Sequence, residues 1–339
     1  LQHHDKKTKI AVTPKVSILV PVYNVSPFIE TCARSLFNQT FCDIEFIFVD
    51  DASPDDSMDK LNRIIAEYPN KKEQIQLIHN QTNEGPASSR HKALKIACGQ
   101  YISFIDSDDY IDVDMIETLY NKAITEDADI VVSDIILEYP NYQTVVKENL
   151  SDNPSNYFVD MLENEVISSF SCNKLFRREF IDQPQFKAPH SLFYFEDRYI
   201  MTRLFFFAKK IVKVDHAFYH YVQYNNQAIT KKKGPKHFEN IIQFWQLTDE
   251  FLKEKNLYAS LAHIIDIQKV KSKARLLLDT PFPHLRKKYA SLFYAEETRC
   301  LHHFKRGEKL MLMLVRYRLF LLAHWLYKFS VYKNKLYDK

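Results

Sequence analysis

Across its first 135 residues the chain alternates short β-branched runs, at 16–22, 44–49, 75–79, 101–105 and 129–133, with amphipathic segments near 27–38, 55–67, 86–97 and 112–125. No other feature limits the fold as much. Strands separated by helices of roughly 10–15 residues lie mostly parallel, because each crossover helix returns the chain to the same end of the sheet. The expected class is therefore α/β, a mostly parallel sheet flanked by helices, and such sheets bind ligands at the carboxyl ends of their strands. After about residue 235 the pattern turns helical, with segments at 237–256, 259–278, 285–302 and 308–332, which predicts an α-helical C-terminal extension.

The unusual residues fall at the predicted strand ends. Pro21-Val22-Tyr23-Asn24 closes the first strand and Asp50-Asp51-Ala52-Ser53 the second; Asn83-Glu84-Gly85 follows the third, and Asp106-Ser107-Asp108-Asp109 closes the fourth. Four polar clusters thus converge on one rim. In the last of them an apolar run ends in three carboxylates within four positions. From an extended strand end Asp106 and Asp108 project the same way and converge on one ligand. Hard oxygen donors suit Mg²⁺ or Mn²⁺, whose shells are commonly completed by substrate phosphates, so a nucleoside diphosphate is implied. The bland alternative is a solvated turn whose aspartates cap the next helix. Phosphate recognition by a glycine-rich loop is excluded, since the four glycines stand apart at 85, 99, 234 and 307.

Composition narrows the class further. With 46% hydrophobic and 26% charged residues the chain is globular, and a formal charge of +3 is too small to point to nucleic acid. Five cysteines, at 32, 42, 98, 172 and 300, include no CxxC pair, which favours reduced thiols and a cytoplasmic location. Residues 1–14 are polar and read as a flexible segment without a leader's apolar run.

In the order and spacing of these clusters the chain resembles family-2 glycosyltransferases of the GT-A (Rossmann-like) fold, of the type that builds bacterial surface polysaccharides. The likeness rests on Val16 through Asn24, Phe48 through Ser57, Asn83-Glu84-Gly85-Pro86 with Ser89-Arg90, and Ile105 through Asp109, and spans roughly 15–230. One departure is Ala52, where the family usually carries Gly. The resemblance implies a catalytic domain at 15–230, with a nucleotide-sugar half at 15–110 and an acceptor half at 111–230, followed by the helical extension at 235–339.

It also implies roles. Pro21, Tyr23, Asn24, Asp51, Asn83, Gly85, Arg90, Asp106 and Ser107 would bind the donor, with Asp51 accepting from a uracil and Arg90 near the base or diphosphate. Asp108, with Asp106, would hold the Mn²⁺ or Mg²⁺ of this DXD motif. Asp197, or else Glu196, in Phe195-Glu196-Asp197-Arg198 would be the general base of an inverting transfer to a hydroxyl of a glycan or lipid-linked glycan. Each acid has a rival role as a helix cap. Competing classes are an aspartate-nucleophile phosphotransferase, whose motif belongs on the first strand, and a catalytically inactive sugar-nucleotide-binding protein.

Two stretches fit the acceptor side. Asn173 and Lys174 resemble cleft-lining residues of polysaccharide-building members, although a cationic turn would look the same. His220, in the aromatic run 216–224, is a candidate metal or phosphate contact or part of a buried strand. Finally, residues 305–339 carry nine Lys or Arg against Glu308 and Asp338. Their apolar runs are too short to span a bilayer, so 308–332 is either a peripheral membrane-surface helix or one packed on the protein.

Overall fold

A computed structural model describes residues 13–163, 168–189, 191–228, 234–280 and 282–326. Most of the 1–14 segment, and the 308–332 helix beyond residue 326, lie outside that range.

The chain divides into two compact units. Unit 1 comprises the chain up to Pro154, Phe170–Lys187 and Phe206–Asn225. It holds strands β1 (Val16–Val22), β2 (Ile44–Asp50), β3 (Ile75–His79), β4 (Tyr101–Phe104), β5 (Tyr110–Ile111), β6 (Ile130–Glu138), β7 (Gln143–Val146), β8 (Lys174–Arg177) and β9 (Ile211–Val222). Its helices are α1 (Ile29–Phe37), α2 (Ser57–Glu67), α3 (Pro86–Ile96), α4 (Met115–Thr125) and α6 (Arg178–Ile181). Unit 2 comprises Ser155–Ser169, Ala188–Phe205 and the chain from Asn226 onward. It contains α5 (Tyr157–Glu163), most of α7 (Glu196–Phe207), α8 (Pro235–Glu254), α9 (Tyr258–Asp279), α10 (Pro283–Tyr289), α11 (Tyr294–Cys300) and α12 (Arg306–Arg316).

The strands of unit 1 form one sheet in the order β3-β2-β1-β4-β8-β6-β9-β5, with β7 paired to β6. β3, β2, β1 and β4 are parallel, as the alternating pattern requires. β1 and the first six residues of β2 are buried almost throughout, the signature of parallel strands covered on both faces. On one face Val16, Ile18, Val20, Phe46 and Phe48 join a core with α1, α2 and α4. α3 packs on the other, against β1 and β2. β8 then enters antiparallel between β4 and β6, so beyond β4 the sheet is mixed. The sequence pattern does not predict a strand at 174–177, because Asn-Lys followed by Arg-Arg reads as a polar turn.

Unit 2 also takes in segments that the family resemblance places in the catalytic domain. Burial explains why: Phe158 of α5 meets Phe251 of α8 edge-on, and Gln268 of α9 donates to the Glu163 carbonyl. Arg198 of α7 lies over the rings of Phe244 and Trp245 at 5.4 and 5.3 Å. At the centre, Lys273 of α9 and Glu297 of α11 pair at 2.6 Å with almost no exposure.

Glycine is scarce, and helix ends show how the chain manages without it. α4, α8 and α12 each end with a residue in the left-handed region, Asp127 (φ 51), Asn256 (φ 57) and Arg318 (φ 63). Each makes the paired 6→1 and 5→2 closure of a Schellman motif, as in Leu319 N–H to Leu314 O and Arg318 N–H to Val315 O. The predicted helix over 308–332 is therefore broken at 317–319 and resumes at Phe320.

Candidate active site

The four polar clusters do meet, and hydrogen bonds join them in series. At the end of β1, Asn24 takes a left-handed backbone (φ 55), and its N–H donates to Ser53 Oγ at 3.3 Å; Ser53 Oγ in turn donates to Val22 O. Asp50 Oδ1 accepts from Ser53 N–H at 2.8 Å. Pro21 sits in register with Val49, and Tyr23 stands 44% exposed at the rim.

Asp51 ties the second cluster to the third. Its carboxylate, 2% exposed, accepts from Asn80 Nδ2 at 2.7 Å and from the N–H groups of Glu84 and Gly85 at 2.9 and 2.8 Å. Asn83 Oδ1 shares the Gly85 N–H at 3.1 Å. Gly85 has φ 89, a backbone that L side chains rarely adopt, and Pro86 follows as the first residue of α3. Asp51 therefore shapes the loop that opens α3.

α3 reaches the fourth cluster through Arg90, whose Nη2 pairs with Asp106 Oδ1 at 2.6 Å. Asp109 N–H donates to Asp106 O, so 106–109 is a β-turn. β4 ends at Phe104, and it is this turn, not an extended strand end, that groups the three acids. Their fates differ. Asp109 is 1% exposed and accepts from Tyr219 Oη at 2.6 Å and Val222 N–H at 2.7 Å, which fastens the turn to β9. Tyr219 Oη also accepts from Asp106 N–H at 3.2 Å. Asp108, half-buried, accepts from Asn225 Nδ2 at 2.8 Å, and Ser107 is buried.

The electrostatics of the turn are one-sided. Burial and the neighbouring Asp106 charge raise the Asp108 carboxyl above its usual range, against the pull of Asn225. Burial, with the charges of Asp108 and Asp106, raises Asp109 further. Burial, then the same acids, raises Cys32, whose Sγ lies 3.8 Å from Asp106 O, so that thiol is inert. A divalent cation at Asp106 and Asp108 would neutralise this excess of negative charge, so the donor set fits one. Two carboxylates leave the rest of an octahedral shell to water and phosphate oxygens; among the described residues no three His, Cys, Asp or Glu are grouped to hold a metal alone.

The remaining candidates make hydrogen bonds and ring contacts of their own. Asn173 and Lys174 are fully buried at the start of β8. Asn173 Nδ2 donates to Ser133 O and Glu148 Oε1, and Lys174 Nζ donates to Phe170 O and Asn173 Oδ1. Both brace the sheet. His220 stacks on Tyr110 at 4.3 Å, with its ring nitrogens 2.7 Å from Glu138 and 3.2 Å from Asp112. In unit 2, Glu196 and Asp197 open α7; Glu196 is buried and Asp197 half-exposed. Phe195 before them has φ 69, a strained backbone for an aromatic residue. The preceding loop is clamped by Asn240 of α8, whose Oδ1 accepts from Phe193 and Tyr194 N–H at 3.0 and 2.9 Å and whose Nδ2 donates to Ser191 O. Sequence reading misses Asn80, Tyr219, Asn225 and Asn240; only the aromatic run around Tyr219 gives any signal.

Comparison with known proteins identifies the family and the fold. Residues 17–183 match the family described as glycosyl transferase family 2. EpsH of Bacillus subtilis, named as a glycosyltransferase, is 33% identical over 250 residues, 72% of this chain and 71% of its own length. Poly(ribitol-phosphate) beta-glucosyltransferase of Bacillus spizizenii is 34% identical over 213 residues, 62% of this chain; the match spans 32% of that protein. Among solved structures, residues 1–349 of S. aureus TarS in complex with UDP-GlcNAc superpose with a TM-score of 0.57 at 18% identity, over 93% of this chain and 92% of that one.

Proposed function

This chain belongs to glycosyl transferase family 2, has the GT-A fold and is a glycosyltransferase; we propose that it moves a hexosyl or N-acetylhexosaminyl group from a UDP-sugar, with inversion, to a hydroxyl of a glycan or lipid-linked glycan in polysaccharide synthesis. The observation that carries the reading is the acidic turn at 106–109, held in place by Arg90, Tyr219 and Asn225. The UDP-GlcNAc bound to TarS and the polymer named for the Bacillus spizizenii enzyme support the donor and acceptor classes.

Asp108 and Asp106 would hold Mn²⁺ or Mg²⁺, which when bound neutralises the leaving diphosphate. Arg90 adds a positive charge beside the same turn. The rim formed by Tyr23, Asn24 and the loop that Asp51 shapes would receive the uridine, with Ser107 backing the turn. Asp197, the more exposed acid of its pair, would take the proton from the acceptor hydroxyl as that oxygen attacks the anomeric carbon and the bond to the diphosphate breaks. The phosphotransferase class is set aside by family membership and by the place of the acidic motif after the fourth strand, not the first.

Two substitutions test the reading. Asp108→Ala should lose Mn²⁺-dependent UDP binding by calorimetry and nearly all transfer; undiminished turnover, or full activity of the native protein in excess chelator, would remove the metal. Asp197→Asn should leave UDP-sugar affinity within about twofold while transfer falls by about 10²–10⁴. A large rate loss in Glu196→Gln instead would move the base by one residue.

A further inference from the structure

α12 carries two apolar stripes where a surface helix ordinarily carries one. Leu312 and Val315 are buried, and Leu312 packs with Val270, Ala274, Cys300 and Phe304. Leu310, Met313 and Tyr317 recur at i, i+3 and i+7, so they share a separate stripe, and they are 48%, 44% and 68% exposed. Beyond the turn at Arg318 the exposure continues through Leu319, Leu321 and Leu322, at 48%, 82% and 54%. One side of this element is thus packed within unit 2 and the other is exposed.

Cations are dense in the same stretch of sequence, Arg316 lying over the Tyr294 ring and Lys309 Nζ donating to His302 O. Lys305, Arg306, Lys309, Arg316 and Arg318 lie within that stretch or beside it, against the single acid Glu308, whose carboxylate caps the helix at Lys305 N–H. Exposed apolar surface of this kind marks an interaction site. We propose that the 305–326 surface docks on an anionic lipid bilayer, its leucines and the Tyr317 ring entering the interface while the cations meet headgroup charge. Charge selects this occupant, because a second copy would set five cations against five. Docking is interfacial: no described helix is long and apolar enough to cross a membrane.

The test uses the full chain with phosphatidylglycerol–phosphatidylcholine vesicles and with phosphatidylcholine alone. Co-sedimentation should require the anionic lipid and weaken several-fold between about 0.05 and about 0.5 M salt. Met313→Gln with Leu321→Gln should reduce partitioning at least about tenfold, and Arg306→Gln and Lys309→Gln about fivefold each, with UDP-sugar hydrolysis in vesicle-free solution unchanged. On the unmodified protein, anionic vesicles should shift the emission of Trp325, 63% exposed, to the blue, a readout that needs no variant to fold. Absence of anionic binding, equal binding by the Met313→Gln/Leu321→Gln variant, or loss of self-association as that variant's only effect would each overturn the proposal. Because the surface lies in unit 2 and the acidic turn in unit 1, loss of vesicle binding with intact Mn²⁺–UDP binding separates failure here from failure of the catalytic reading.

Discussion

Ala52 holds a backbone, φ 58, that glycine adopts freely and alanine does not. The sequence flags this position only as a family departure; the dihedral supplies the reason it matters. Ala52→Gly should raise the urea midpoint, by about 1 kcal/mol of stability, the left-handed penalty less the extra freedom of the unfolded chain. An unchanged or lower midpoint would show that the turn is not strained. The acids at 106–109 make a second residue-scale point. As letters they are equivalent, and nothing in one sequence separates Asp109 from its neighbours, since its partners lie 110 and 113 residues away. Asp109→Ala should strand the Tyr219 hydroxyl and Val222 N–H at a cost of about 1–3 kcal/mol, measured by denaturant unfolding, whereas Asp108→Ala should act mainly on ligand binding.

Elements with a clear period are legible in the sequence, and those built by distant contacts are not. β1, β3 and α3 fall within a residue of their expected bounds because apolar spacing sets them. β8 is hidden, since its leading Lys174 is buried among partners that include Asn173, Phe170 and the nearby Glu148. The α7 entrance is visible as an acidic start, but the clamp behind it comes from α8. If Asn240 positions that entrance, Asn240→Ala should lower the transfer rate about tenfold or more with donor affinity unchanged, and Asn240→Asp, which keeps the acceptor oxygen, should recover part of the loss. Equal losses of donor affinity and rate in both variants would make Asn240 a general stabiliser of unit 2.

Across the molecule, the sequence supplies the order of elements but not their grouping, because segments 155–169 and 188–205 interrupt the sheet-forming chain and join the helical unit. Their allegiance depends on side chains such as Phe158 and Arg198, whose partners come some 90 and 46 residues later. Unit 2 has polar contacts at its centre as well as an apolar core, and among its described ion pairs Lys273–Glu297 is the most buried. Lys273→Met should cost about 3–5 kcal/mol by leaving Glu297 unpaired, and adding Glu297→Leu should restore most of it; thermal unfolding of the two variants compares them directly. The placement of β8 bears on how the protein is made. Until β8 has been synthesised, the growing chain holds four parallel strands whose β4 edge has no partner, for roughly seventy residues. At ribosomal speed that is about 4 to 15 seconds during which an open sheet edge is available to neighbouring nascent chains.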